Sequence, residues 1–157
     1  MLIDATAIQA LIPHSGKMSL LHSVTHWDAT HIACLALSHH NPDNPLARDG
    51  KVSVLCGIEF AAQAMAVHGG LTGLVGQRPR AGVLVSVRDV VTRVKYLSDH
   101  KENLQIDAQQ LLAGENGVTY SFSLHIGDLE LLSGRATVVL DAAVLDAAAL
   151  DSTGGMP

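Results

Sequence analysis

Hydrophobic and polar positions along this chain change period several times, and each change marks an element. From Asn103 on, Leu104, Ile106, Ala108, Gln110 and Leu112 alternate with Gln105, Asp107, Gln109 and Leu111. Val118, Tyr120, Phe122, Leu124 and Ile126 then alternate with Thr119, Ser121, Ser123 and His125. A period of two puts neighbouring side chains on opposite faces of a sheet, so both stretches predict strands with one buried face. Asn116-Gly117 is a strong hairpin signal and Gly127-Asp128 a second two-residue turn, after which Leu129 to Leu140 predicts a returning strand. Leu131-Leu132 breaks the alternation and predicts a bulge. Residues 103–140 therefore predict an antiparallel meander.

The first half reads differently. Asp4 is placed to cap a short helix from Ala5 to Leu11, which Pro13 closes. Ser19 to Trp27 and His31 to Ser38 predict two strands around an Asp28-Ala29-Thr30 turn, with His22, Val24 and His26 on one face. His39 to Lys51 holds two Asn-Pro pairs and an Asp-Gly, the composition of a loop. Val83 to Val87 and Val90 to Leu97 predict strand, with a break or bulge at Arg88-Asp89.

Between them, Cys56 to Gly70 is small and apolar on every side, the pattern of a buried helix. Ser53 is a natural N-cap and Gly69-Gly70 a natural stop. From Val54 to His68 the helix spans about 22 Å at its usual rise. Only the sheet has enough apolar surface to cover it. The expected class is α+β: a hot-dog arrangement, one antiparallel sheet wrapped around a long central helix. Residues 1–141 form the single expected domain, and 142–157 an Ala-rich tail that frays.

Composition narrows the function. The chain has 157 residues, 48% of them hydrophobic but only 3% aromatic, so its core is built of Val, Leu, Ile and Ala. A net charge of −5 argues against nucleic acid as a partner. Residues 78–101 are the exception, with six basic side chains against two acidic ones. Arg78, Arg80, Arg88, Arg93 and Lys95 form a basic strip suited to an acidic or phosphate-bearing partner. Cys34 and Cys56 form no framework, the N-terminus has no basic signal region, and no apolar run is expected to reach transmembrane length. A soluble cytoplasmic protein is expected. Nine histidines bring neither Cys-x-x-Cys nor His-Glu-x-x-His, so no metal ion is expected either.

Two motifs resemble a known family. Leu11-Ile12-Pro13-His14-Ser15-Gly16-Lys17-Met18 resembles the Leu-Pro-His opening of bacterial 3-hydroxyacyl-(acyl carrier protein) dehydratases, and Glu59-Phe60-Ala61-Ala62-Gln63-Ala64 resembles their central-helix motif. Together with Val67-His68-Gly69, the helix motif is most similar to the dehydratase-like proteins of aryl-polyene clusters. The likeness spans about residues 8–141. The family keeps its loop histidine fourteen residues before the helix glutamate; that position here is Pro45, and His39 and His40 lie too early.

The resemblance implies dehydration of a 3-hydroxyacyl thioester carried on the phosphopantetheine of an acyl carrier protein or on CoA, with no other cofactor, in fatty-acid or polyene-type biosynthesis. Glu59 is then expected at the departing hydroxyl, with Gln63 holding its carboxyl. Free N–H groups at Val54 and Leu55 are expected to polarise the thioester carbonyl. His14 is the expected base, with His40 or a partner's histidine as the alternative, and Asn44 is expected to hydrogen-bond the substrate. The basic strip would dock the carrier, and a homodimer or a heterodimer with a second hot-dog subunit is expected. Two other readings stay open. One is a thioesterase of the same fold with Glu59 activating water; the other is a non-catalytic subunit paired with an active dehydratase.

Overall fold

The computed structural model describes residues 3–11, 19–72, 83–114 and 117–139. Pro13, His14, Arg78, Arg80, Asn116 and the tail at 142–157 lie outside them, so the expectations placed there are not described. Seven strands form one antiparallel sheet. They are β1 (Ile3–Asp4), β2 (Ser23–Trp27), β3 (His31–Ala36), β4 (Val83–Thr92), β5 (Leu104–Ala113), β6 (Gly117–Ile126) and β7 (Leu129–Val139). Helix α1 spans Ala5–Leu11 and α2 Gly57–Thr72. The spatial order is β1-β2-β3-β5-β6-β7-β4, so the strand that follows the helix lies at the far edge, beside the last strand of the meander.

The alternation read along β5 and β6 is realised as a buried face. Leu104, Ile106, Ala108, Tyr120, Phe122 and Leu124 all face inward and meet Phe60, Ala61, Ala64 and Val67 of α2. The helix packs against β3, β5 and β6 on one side and α1 on another. At its start, α2 sits tightly on the sheet. A Cβ on Gly57 would come within 2.7 Å of Leu132 Cδ2 and 2.8 Å of Leu124 Cδ2. Glycine is what lets the helix approach that closely.

Several expectations change in detail. Helix α2 runs through Gly69-Gly70 to Thr72, because Gly70 is buried against Leu11 of α1 and tertiary packing overrides the local stop. Val54–Cys56 is a separate turn of 3-10 helix, with Ser53 as its cap. His22, Val24 and His26 do not share a face: a bulge pairs Val24 with Cys34 but His26 with Ala33. Val24 is therefore buried while both histidines are exposed. Strand β4 is continuous through Arg88-Asp89, which form a bulge with Asp89 at φ 56°, and it ends at Thr92 rather than Leu97. The bulge at Leu131 is present: Leu124 pairs with Leu132 and His125 with Glu130, so Leu131 and Leu132 both turn inward and are fully buried.

One expectation about length is overturned. Val54–Thr72 is 19 residues, long and apolar enough to cross a membrane by composition. More than half of it is buried inside the sheet, and a core helix apolar on all sides passes the same test.

Candidate functional site

Glu59 lies in the first turn of α2 and is half-buried, less enclosed than the all-apolar helix implied. Gln63, one turn on, is fully buried. Its Oε1 accepts the backbone N–H of Leu20 at 2.9 Å, and its Nε2 stands 3.4 Å from Glu59 Oε1. Because an N–H can only donate, the Leu20 bond fixes which end of the Gln63 amide is oxygen and turns the –NH2 towards Glu59. The segment after the His14 loop is thereby tied to the helix carboxylate through one side chain. A carboxylate at the start of a helix is also favoured by the positive end of its dipole.

The backbone beside it is arranged otherwise than expected. Val54 N–H donates to Lys95 O at 3.0 Å, and Leu55 N–H to Ser53 Oγ at 3.2 Å. Cys56 N–H bonds Ser53 O at 3.0 Å. The N–H groups of Val54 and Leu55 are thus occupied and do not form a free carbonyl-binding pair. The reason is a pairing distant in sequence: Ser53 bridges to Tyr96, which draws the segment around Lys95 against the helix entrance. Asn44 is likewise engaged, its Nδ2 donating to Ser38 O at 2.7 Å and its Oδ1 accepting from Leu46 N–H at 2.8 Å. Buried and bonded at both ends, it holds the shape of the long loop.

The loop histidines separate. His39 is fully buried, and its Nε2–H donates to His100 O at 2.6 Å; burial holds its pKa below the usual histidine value. His40 is exposed, its ring 4.9 Å from that of His39. His68 is also fully buried, with Nδ1 2.6 Å from Tyr120 Oη and Nε2 2.8 Å from Asp28 O. Burial lowers its pKa too, and pushes Tyr120 up to about 12. Cys34 is pushed up to about 12 by burial, which makes it an inert thiol.

Of the basic strip, Arg93 and Lys95 come together with Ser53, Val54, Leu55, Thr92 and Val94 around an open groove of about 550 Å³. Leu55 projects from its rim, 56% exposed. Lys51, outside the strip read from the sequence, stands 4.6 Å from the centre of the Tyr96 ring, and Lys95 is 5.5 Å from it. Arg88 is exposed on β4 and does not line the groove. The signal for Lys51 was available: it ends the long loop directly before the helix entrance.

A single antiparallel sheet curled around a buried helix, with a carboxylate held near the helix start, defines a hot-dog protein. The chain matches the family described as ApeP dehydratase, ApeP-like, over residues 6–149, and it belongs to that family. No curated protein matches the sequence significantly. Among solved structures, the dehydratase heterocomplex ApeI:P from Xenorhabdus doucetiae is similar with a TM-score of 0.76 and 23% identity, over 87% of this chain and 92% of that one. A mutant of thioesterase PA1618 from Pseudomonas aeruginosa is similar at a TM-score of 0.63 and 12% identity, covering 88% and 94%. Zebra fish thioesterase superfamily member 2 follows the same fold at 0.60 and 15% identity, covering 87% and 95%.

Proposed function

We propose that this chain is one subunit of a hot-dog dehydratase that removes water from 3-hydroxyacyl thioesters, presented on an acyl carrier protein or on CoA. The observation that carries it is the Glu59 carboxyl, half-buried at the start of α2 and approached by Gln63 at 3.4 Å. In the elimination, a base takes the C2 proton while the C3 hydroxyl leaves with a proton from the Glu59 carboxyl, giving the enoyl thioester and water. The base is assigned to His14 or to a histidine of a second subunit. Arg93 and Lys95 around the groove, with Leu55 at its rim and Lys51 over the Tyr96 ring, fit an acidic carrier protein.

The subunit arrangement rests on β4. Among the described residues it pairs with β7 on one side only, and Val85, Val90 and Val91 are 53%, 37% and 43% exposed along it. An edge strand with exposed valines on both sides of its Arg88-Asp89 bulge offers unpaired backbone to another strand. The similar Xenorhabdus structure is a dehydratase heterocomplex, which supports a second hot-dog chain as the occupant. A non-catalytic role within such a pair is the second reading, favoured by Pro45 at the family's histidine position and by the commitment of His39 to His100.

Turnover of a 3-hydroxybutyryl thioester tests the proposal. Glu59→Gln should lower the rate at least about a hundredfold, the scale of a positioned acid. An unchanged rate removes Glu59 from the chemistry. No turnover by the folded chain alone, together with turnover by the pair that Glu59→Gln leaves unchanged, supports the non-catalytic reading.

A further inference from the structure

The sheet face turned away from α2 carries histidines and carboxylates that the dehydration reading does not use. They gather where β2 turns into β3. Asp28 Oδ1 accepts the backbone N–H groups of Thr30 and His31, each at 2.9 Å, which fixes the carboxylate over the turn. Asp28 Oδ2 stands 3.6 Å from His26 Nε2. The His26 and His31 rings lie 5.7 Å apart, tilted by 40°. One donor atom from each of His26, Asp28 and His31 falls within 4.8 Å of the other two.

Two further carboxylate contacts organise the set. Asp107 Oδ1 lies 3.0 Å from His31 Nε2, and Asp107 Oδ2 lies 3.6 Å from His125 Nε2. A carboxylate that takes the Nε2–H leaves Nδ1 of His31 as the lone-pair nitrogen, the arrangement found behind metal-bound imidazoles. Below the turn, His68 Nε2–H holds Asp28 O at 2.8 Å, so the backbone of the site is anchored to α2. Zinc with two nitrogens and one oxygen at about 2.0–2.2 Å needs those ligands about 3.4 Å apart. The Asp28 carboxylate is held over the turn, and His26, more than half exposed, has room to rotate towards it by the difference.

We propose that His26, Asp28 and His31 form a three-ligand site for a divalent transition-metal ion of the zinc type, with Asp107 as the residue that orients His31. The donor set of imidazole and carboxylate suits such an ion. The site lies at the opposite end of α2 from Glu59, about 13 Å along the helix axis between residues 59 and 68. A bound ion would therefore tie the β2–β3 turn together without touching the reacting atoms, and would stabilise the folded protein by mass action.

Calorimetric titration of the full chain with zinc chloride at about pH 7.5 tests this, with thermal unfolding as a further readout. One ion per chain, with a rise in Tm, is expected for the wild type. His26→Gln and His31→Gln should each weaken binding at least tenfold with an unchanged circular dichroism spectrum. Asp107→Asn, which leaves all three ligands in place, should weaken it by about 10–100-fold, as loss of an orienting carboxylate does. No binding to the wild type at millimolar zinc overturns the proposal. Unchanged stoichiometry and affinity in the His26→Gln/His31→Gln double variant overturns it equally, since the ion then sits on other histidines.

Discussion

The His68 imidazole and the Tyr120 hydroxyl share one hydrogen bond of 2.6 Å, made inside the core between α2 and β6. Its direction follows from the other ring nitrogen. Nε2 faces the Asp28 carbonyl at 2.8 Å, and a carbonyl only accepts, so Nε2 carries the proton and Nδ1 accepts from Tyr120. Burial keeps the ring neutral, which that tautomer requires. Tyr120→Phe removes only the hydroxyl and strands Nδ1 without a donor. It should cost about 1–3 kcal/mol, the usual penalty for an unsatisfied buried group. Urea unfolding of the two proteins measures it, and coincident midpoints would show that the bond contributes nothing.

Gly57 sets how closely the helix lies on the sheet. In Gly57→Ala the added methyl meets Leu132 Cδ2 at 2.7 Å and Leu124 Cδ2 at 2.8 Å, so those leucines or the helix start must shift. Overpacking of this kind costs about 1–3 kcal/mol. Glu59 is two residues on, so dehydratase turnover should fall as well. A variant of wild-type Tm and turnover would mean that the leucine ends swing aside freely.

His39 predicts a pH dependence of stability. Burial lowers its folded pKa below the unfolded value of about 6.5. Above that value both states hold the neutral ring and His39 contributes no slope. As pH falls below about 6.5 the unfolded chain takes up a proton that the folded chain refuses, so stability is lost towards the lower folded pKa. Nδ1 is buried and finds no hydrogen-bond partner among the described residues. His39→Gln should therefore lose less stability than the wild type between about pH 7 and about pH 5. Equal losses by denaturant titration would place the pH response elsewhere.

The groove beside the helix entrance predicts a salt-sensitive partner. Arg93 pairs with Glu130 at 3.3 Å across the surface, an exposed contact worth little, and stays available to a stronger acidic surface. Arg93→Glu with Lys95→Glu should weaken carrier-protein binding at least tenfold, and salt should weaken the wild-type interaction. The same double change in a carrier-binding assay, with affinity intact, would leave the groove as a solvated face.

The sequence exposed the sheet best where strands alternate strictly. Leu104 to Ala108 and Val118 to Leu124 have one apolar face each, and that pattern is a direct consequence of the pleat. Even the Leu131-Leu132 irregularity was legible, since two adjacent buried leucines demand an extra residue. What failed depended on partners distant in sequence. The Gly69-Gly70 stop yielded to packing on Leu11, and the Thr25 bulge turned His26 away from Val24. Occupation of the Val54 N–H by Lys95 joins positions 41 residues apart, which no local pattern reports. The spacing of His26, Asp28 and His31 was visible as letters, but only the turn brings the three together.

The place of β4 in the sheet also governs when the sheet can close. Although β4 is made early, its only neighbour within the described chain is β7, which ends at Val139. During synthesis, residues 83–92 have nothing to pair with until nearly fifty further residues have been added and the meander has formed. A sheet whose outermost strand waits for its last one is slow to close, since distant pairings form late. The outer edge of the sheet is thus in place only after β7 has been made and paired with β4.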